Sequence, residues 1–386
     1  MDSHLLFLLL LTILLPFANG ANYNVVSYGA KGDGKKDSTR AFLGAWSSAC
    51  GSTKPATVYV PTGTYLIKRA TFGGPCKNDK ITFKIDGTLV ASSNYALYGN
   101  EYWILFTGVK GVSVVGGTLD GKGAGLWACK AARKNCPDGA KSLTFNNCED
   151  VRVEGLRSIN SQLYHVGLNG CRNVNLRGVQ LQAPDESPNT DGIHVQLSTG
   201  VAIFNAGIKT GDDCISVGPG TRNLWVEKVA CGPGHGISIG SLGKEEEEDG
   251  VSNVTVKSVV FKGTENGLRI KSWGRPSSGF VRDVDFVNAV MVNVHNPIII
   301  DQNYCPRNEN CPGQRSGVKI RGVRYVNIKG TSATKVAVKF DCSAANPCDA
   351  IGLRDVKLTF QSRRAAASCK NARGTSRGLV DPPSCL

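Results

Sequence analysis

The chain has 386 residues, 41% hydrophobic and 20% charged, and its 45 Lys and Arg outnumber 31 Asp and Glu for a formal net charge of +14. That composition excludes a disordered chain and leaves room for a large core. Its 46 glycines, about 12% of the residues against a usual ~7%, follow no collagen period and do not suit a helical bundle, so many short strands and tight turns are expected.

In chain order, residues 1–20 come first. Leu5 to Phe17 is almost wholly apolar and Ala18-Asn19-Gly20 supplies small residues for cleavage, so a secretory signal peptide is expected although its start carries no Lys or Arg. The apolar run of 13 residues is short for a membrane span of about 20. The mature protein is then a single domain over 21–386, without a membrane segment, and loss of Asp2 moves its net charge from +14 to +15. Val25-Val26-Ser27-Tyr28 reads as a first strand and Gly29 to Gly34 as a tight loop. Asp37-Ser38 offers an N-cap for a short helix to about Ala49, with an apolar face of Ala41, Phe42, Ala45 and Trp46. No other helix is expected.

Short β-rich runs follow at Thr57–Val60, Thr64–Ile67 and Ile81–Ile85, broken by Pro and Gly. A coil begins at Val112 and is followed by an excursion to Asp138 that holds Trp127. Repetition then becomes regular. Val151 and its neighbours are echoed at Val174, 23 residues on, and more loosely at Val226 and Val254. A second series, Gly192, Cys214, Gly236, Gly267, Pro297 and Ala337, has intervals of 22, 22, 31, 30 and 40. One short strand per period of about 20–25 residues marks a solenoid, whose coils bury their apolar faces only by stacking. The longer intervals imply insertions at turns, which form walls on one side. From about Gln361 a tail rich in Arg, Ala, Ser and Gly reads as loop, and Glu245 to Asp249 as a solvated acidic loop.

Three groups sit in register within this series: Asn189-Thr190-Asp191, Asp212-Asp213 and Gly234-His235-Gly236. Coils about 4.8 Å apart put Asp191, Asp213 and His235 in one column with Asp212 beside it. A lone Asp-Asp is usually turn chemistry. Three carboxylates in one patch cannot all ionise freely, so at least one is expected to hold its proton well above the usual ~3.9, giving an acid/base group. Gly267-Leu268-Arg269-Ile270-Lys271 follows one coil later. Arg269 and Lys271, two apart on a strand, face the same side.

These four groups, in this order, resemble the motifs of the polygalacturonases, pectin-cleaving glycoside hydrolases built on a right-handed parallel β-helix. The likeness runs from Tyr28-Gly29-Ala30-Lys31-Gly32-Asp33-Gly34 to the last cysteines. It implies an all-β, right-handed parallel β-helix with a short N-terminal capping helix. It also implies that Asp191 and Asp213 handle the attacking water, Asp212 protonates the leaving oxygen, His235 supports the site, and Arg269 and Lys271 bind the sugar carboxylate. Asn189 belongs to the first motif, and Tyr304, after Asp301-Gln302-Asn303, is similar to a substrate-contacting tyrosine. Neither a cofactor nor a metal is implied.

Fourteen cysteines behind an export signal point to disulfides. Cys129 with Cys136, Cys305 with Cys311, Cys342 with Cys348 and Cys369 with Cys385 are close in sequence; the resemblance adds Cys214 with Cys231, and Cys148 and Cys171 are either bonded or free. The basic surface fits an acidic polysaccharide, since secretion removes nucleic acid as a partner. A monomer acting on pectic polysaccharide in the extracellular space or cell wall is expected. Three rivals remain: a rhamnogalacturonan hydrolase, a Ca²⁺-dependent pectate lyase and an inactive wall-binding β-helix.

Overall fold

The computed structural model describes residues 20–99 and 101–386, the side chain of Arg307 aside. The proposed signal segment therefore lies almost wholly outside the described residues. From Ala21 onward the chain winds through short strands into a 19-stranded and an 11-stranded sheet. Every pairing among them is parallel except a small hairpin of Thr359-Phe360 with Arg363-Arg364. Parallel neighbours joined by crossovers wind right-handed. The architecture is the expected right-handed parallel β-helix.

The second sequence series is the real register. Ile193 pairs with Ile215, Ile215 with Ile237, Ile237 with Leu268, Leu268 with Ile298, and Ile298 with Val338. All six are buried. Each interior Ile or Leu contributes about 1.5–3 kcal/mol through burial, and in a coil that gain exists only once the neighbour is in place. The first series needs a correction. Val151 and Val174 do pair, but the column continues through Val201, Leu224 and Val254, while Val226 stands against Val256. The step from Val174 to Val201 is 27 residues and not 23, so a fixed period passes over the coil at Thr199–Phe204.

Corners are turned by residues in the left-handed region. Asn205, Lys228, Ser258, Asn288, Asn327 and Asp355 stand one above another in successive coils, all with φ between 52° and 57°. Asn and Asp tolerate that region because their short polar side chains bond locally. Such side chains also bridge coils: Asn327 Nδ2 donates to Asn288 Oδ1 at 2.9 Å, and in a parallel column Asn253 donates to Asn223 at 2.7 Å.

A helix at Thr39–Gly51 caps the first coils. Ser38 takes the N-cap position, but the Asp37 carboxylate makes the capping bond to the Thr39 amide at 3.0 Å. Trp46 packs on a ladder in which Phe72, Phe106 and Phe145 pair in register, and Phe42 stacks on Phe83 beside it. Three expectations fail. Val25–Tyr28 is a 3-10 turn after a strand at Ala21–Asn24, because the Asn24 side chain accepts from the Val26 amide and curls the chain. A second helix spans Ala124–Ala131, in the excursion closed by Cys129–Cys136. The tail is not loop either: Ala366–Lys370 and Ala372–Asp381 add strands to both sheets, pairing with Val336–Asp341 and Cys348–Phe360.

Six disulfides form: the five expected and Cys50–Cys76. Cys148 and Cys171 are buried free thiols on adjacent coils. No helix of the described residues is long and apolar enough to cross a membrane. Two outcomes are expected. Asn288→Ile should cost about 1–2 kcal/mol by thermal denaturation from a branched side chain in the left-handed region, and Asn288→Gly, which loses only the exposed bond from Asn327, should cost less. Thiol titration should find two reactive cysteines in denaturant and essentially none in the native protein.

Candidate active site

The site lies on the outer face of the 11-stranded sheet, where Ile193–Gln196, Ile215–Val217, Ile237–Leu242, Asn266–Trp273 and Asn296–Tyr304 stack. In each of the first four the apolar residues point inward and the residue between them points out: His194, Ser216, Ser238 and Arg269 form one outer column. Just before these strands stand Asp191, Asp213 and His235. Register places them above one another, as the spacing requires.

Each is held by a different device. Thr190, fully buried, accepts the Gly211 amide at 3.0 Å and so ties the Asn189-Thr190-Asp191 loop to the next coil. Gly234, at φ +121°, passes so close to the neighbouring backbone that a Cβ would lie 2.5 Å from the Asp212 carbonyl oxygen. This close approach lets the His235 amide donate to that carbonyl at 2.8 Å. The Cys214–Cys231 bridge fixes the coil that carries Asp212 and Asp213.

The three carboxyls are electrostatically distinct. Asp213 is buried, yet its Oδ1 accepts from Arg269 Nη2 and Ser238 Oγ at 2.7 Å, and its Oδ2 from Lys271 Nζ at 2.7 Å. Burial alone would raise its pKa; the Lys271 and Arg269 charges outweigh burial and hold it far below the usual range. Asp191 is raised well above that range, first by burial and then by the charges of Asp212 and Asp213, against a single bond from Ser216 Oγ at 2.6 Å. The proton was expected on Asp212, the donor to the leaving oxygen; the carboxyl that burial and crowding drive to hold one is Asp191. Asp212 is the most open of the three. Its Oδ1 faces His235 Nδ1 at 3.0 Å, and Asn189 Nδ2 donates to its Oδ2 at 3.4 Å. Burial disfavours charge on His235, but Asp212, and Glu265 at 3.4 Å from Nε2, overcome this and raise its pKa.

Two cavities meet at Asp212. One, of about 440 Å³, is lined by Tyr164, Asp191, His194, Asp213, Lys271 and the Glu245 and Glu248 side of the acidic loop. The other, of about 590 Å³, is lined by His235, Glu265, Arg269 and the 306–310 turn. Asn189, Asp212 and Tyr304 border both. All eight sequence-nominated residues thus come together. Arg269 and Lys271 were expected to point at a ligand; here both grip Asp213, and each still borders one cavity. The acidic run is not merely solvated, since Glu248 accepts the Gly243 and Lys244 amides and folds the loop against the cleft.

Sequence reasoning missed His194, Ser216, Ser238, Tyr164 and Glu265. The alternation Ile-His-Val, Ile-Ser-Val and Ile-Ser-Ile could have found the first three. His194, stacked on Tyr164 at 4.7 Å and bonded to Ser216 and Gln196, is kept neutral by burial, with its pKa lowered to about 4. Asp212, Asp213 and His235 also present one ligand atom each within 4.8 Å of one another, a spacing that could hold a metal ion. Two cations already on Asp213 and the tendency of His235 to protonate oppose an added cation.

This arrangement, one open carboxyl flanked by a buried protonatable one and a buried ionised one in a two-sided cleft, is suited to acid/base hydrolysis. Comparison with known proteins shows the family. A polygalacturonase of Prunus persica is 59% identical over 371 residues, 96% of this chain and 94% of its own. An exopolygalacturonase of Platanus acerifolia is 40% identical, over 95% of this chain and 98% of its own. The solved endo-xylogalacturonan hydrolase of Aspergillus tubingensis superimposes with a TM-score of 0.76 at 22% identity over 93% of this chain and 100% of its own, a likeness of fold. Residues 50–379 match the glycosyl hydrolases family 28, and the chain belongs to that family.

Proposed function

We propose that this chain hydrolyses α-1,4-galacturonosyl linkages of polygalacturonate, with inversion, as a secreted monomer of the cell wall. The observation that carries the reading is the position of Asp212 at the junction of two half-clefts, bonded to His235, with Asp191 and Asp213 beside it. Membership of a hydrolase family stands against the lyase and the inactive wall protein. The Prunus persica relative favours homogalacturonan over rhamnogalacturonan. Six disulfides support an oxidising destination.

In this reading the scissile bond lies over Asp212. The His235–Asp212 pair carries one proton, and Asp212 passes it to the glycosidic oxygen as the bond from the anomeric carbon to that oxygen breaks. A water attacks the same carbon and gives its proton to Asp191, whose raised pKa makes it a better base near the working pH than an ordinary carboxylate. Asp213, kept ionised, orients the water. Arg269 and Lys271 each meet a uronate carboxylate at the edge of one half-cleft, and Tyr304 offers a ring to the sugars on both sides. The spacing that separates inverting enzymes, ~6.5–9.5 Å, from retaining ones, ~5–5.5 Å, is that of acid and base, here Asp212 and Asp191, and the oxygens of Asp212 and Asp213 lying within 4.8 Å do not measure it. Inversion is favoured because both Asp213 oxygens are occupied by Arg269, Ser238 and Lys271 and neither is free to attack.

Digestion of polygalacturonate should yield reducing ends without an ultraviolet-absorbing unsaturated sugar, and proton NMR should detect the β-anomer first. Asp212→Asn should fold and lose roughly 10²–10⁴-fold in kcat. The pH–rate profile should be a bell, falling on the acid side as Asp191 protonates and on the alkaline side as His235 loses its proton. An α-anomer first, or native turnover by folded Asp212→Asn, contradicts the proposal.

Stability should divide the buried carboxyls. The raised pKa of Asp191 means that its stabilising share is full below about 3.9 and is lost as pH rises through its folded value, so Asp191→Asn should melt higher than the parent at neutral pH, with the gap closing below pH ~4. Asp213 is the reverse, stabilising above ~3.9 and losing that share only as pH falls through its depressed value. Asp213→Asn strands two buried cations and should cost about 3–5 kcal/mol at neutral pH. Melting curves of both variants across pH check this, and both should be inactive.

A further inference from the structure

A third cavity lies on the other sheet, near the C-terminal end of the solenoid. It has a volume of about 350 Å³ and is lined by two parallel columns. One runs Asp285, Arg324, Gly352, Thr375 and the other Val287, Val326, Arg354, Arg377, each residue paired with the next across neighbouring strands. None of these residues takes part in the site described above.

The charges here are unusual for a structural surface. Arg324 is neutralised by Asp285, which it grips through two hydrogen bonds of 2.5 Å. Arg354 and Arg377 are exposed, sit directly opposite one another in adjacent coils, and are not among the ion pairs formed by the described residues. Like charges facing across paired strands destabilise a sheet. Gly352, opposite Arg324 and two residues before Arg354, leaves a notch in the lining, and Val287 and Val326 make part of that lining apolar. A Cβ at 352 would make only ordinary contact, 3.5 Å from Arg324 Cγ, so the notch is not required by backbone packing.

We propose that this groove is a non-catalytic binding site for carboxylate-bearing polysaccharide, which it holds through Arg354 and Arg377 while Val287 and Val326 meet the apolar faces of the sugar rings. Arg guanidinium forks match carboxylates in pairs. Strands about 4.8 Å apart space the two cations by about the length of one pyranose unit, suiting a chain with a carboxylate on every sugar. An anionic surface lacking regular sugars, such as a lipid membrane, would use the charges but not the notch and its apolar lining. The site rests on the proposed substrate class only for the identity of the polymer, and the groove lets the protein stay on the polymer between catalytic events.

The test uses the full chain carrying Asp212→Asn, so that binding is read without cleavage. Arg354→Gln/Arg377→Gln should weaken affinity for long polygalacturonate about tenfold at low salt, and Gly352→Leu, which fills the notch without changing charge, should do the same. The charge-matched control Lys31→Gln/Lys35→Gln on the N-terminal segment should have little effect. In the active background the groove variants should raise KM on polymer and leave kinetics on short oligogalacturonides unchanged. The inference is overturned if the groove variants bind polymer like the parent. It is equally overturned if Gly352→Leu is silent, if the control loses as much, or if only binding to anionic lipid vesicles is lost. Failure of the active parent to cleave polygalacturonate would refute the proposed function while leaving this binding comparison intact.

Discussion

Parallel stacking in register sets every residue of this protein against its counterpart one coil away. In the interior the constraint is favourable, since Ile193, Ile215, Ile237, Leu268 and Ile298 bury one another. At the corners it selects Asn and Asp, which accept the left-handed turn and bridge to the next coil. On the outer face it has a cost, because a polar residue repeated at one position meets its like. Asp191 over Asp213 is that cost, and the chemistry of the site grows from the way it is handled.

The handling is unequal. Asp213 receives two cations and a hydroxyl from strands further along the stack, whereas Asp191 receives one hydroxyl. Two carboxyls of one column are thereby driven in opposite directions from the usual carboxylate range. Ionised Asp213 helps to keep Asp191 protonatable, and it holds Lys271 and, together with Ser238, Arg269 in place. Burial makes the group interdependent, since removing any member leaves an unpaired charge in a poorly solvated place.

What the sequence disclosed follows the same logic. The register from Gly192 to Ala337 was legible because the strands are short, β-branched and started by recognisable turns. The disulfides closed over few residues were legible from proximity, but Cys50 and Cys76, 26 apart, were not. The helix at Ala124–Ala131 was hidden by Gly123 before it, by Gly125 within it and by having Leu126 as its one buried residue. The tail looked like loop because no further coil covers it, so its strands need few apolar residues. In the site, the residue types and their gathering were readable; which carboxyl keeps the proton was not, because that depends on Arg269 and Lys271 turning toward Asp213. Motif order does not reveal a hydrogen-bond direction.

The uneven intervals between coils have a further meaning. Strands at Gly192, Cys214, Gly236, Gly267 and Pro297 keep register although the chain between them varies from 22 to 31 residues. Whatever the turns insert is lodged outside the stack, as with the acidic segment folded by Glu248 against one half-cleft and the 306–310 turn beside the other. Reaction chemistry and substrate choice are therefore written in separable parts of the chain. Descent with altered turns could change which polymer enters, how deeply and from which end, while the inherited column goes on breaking the same kind of bond.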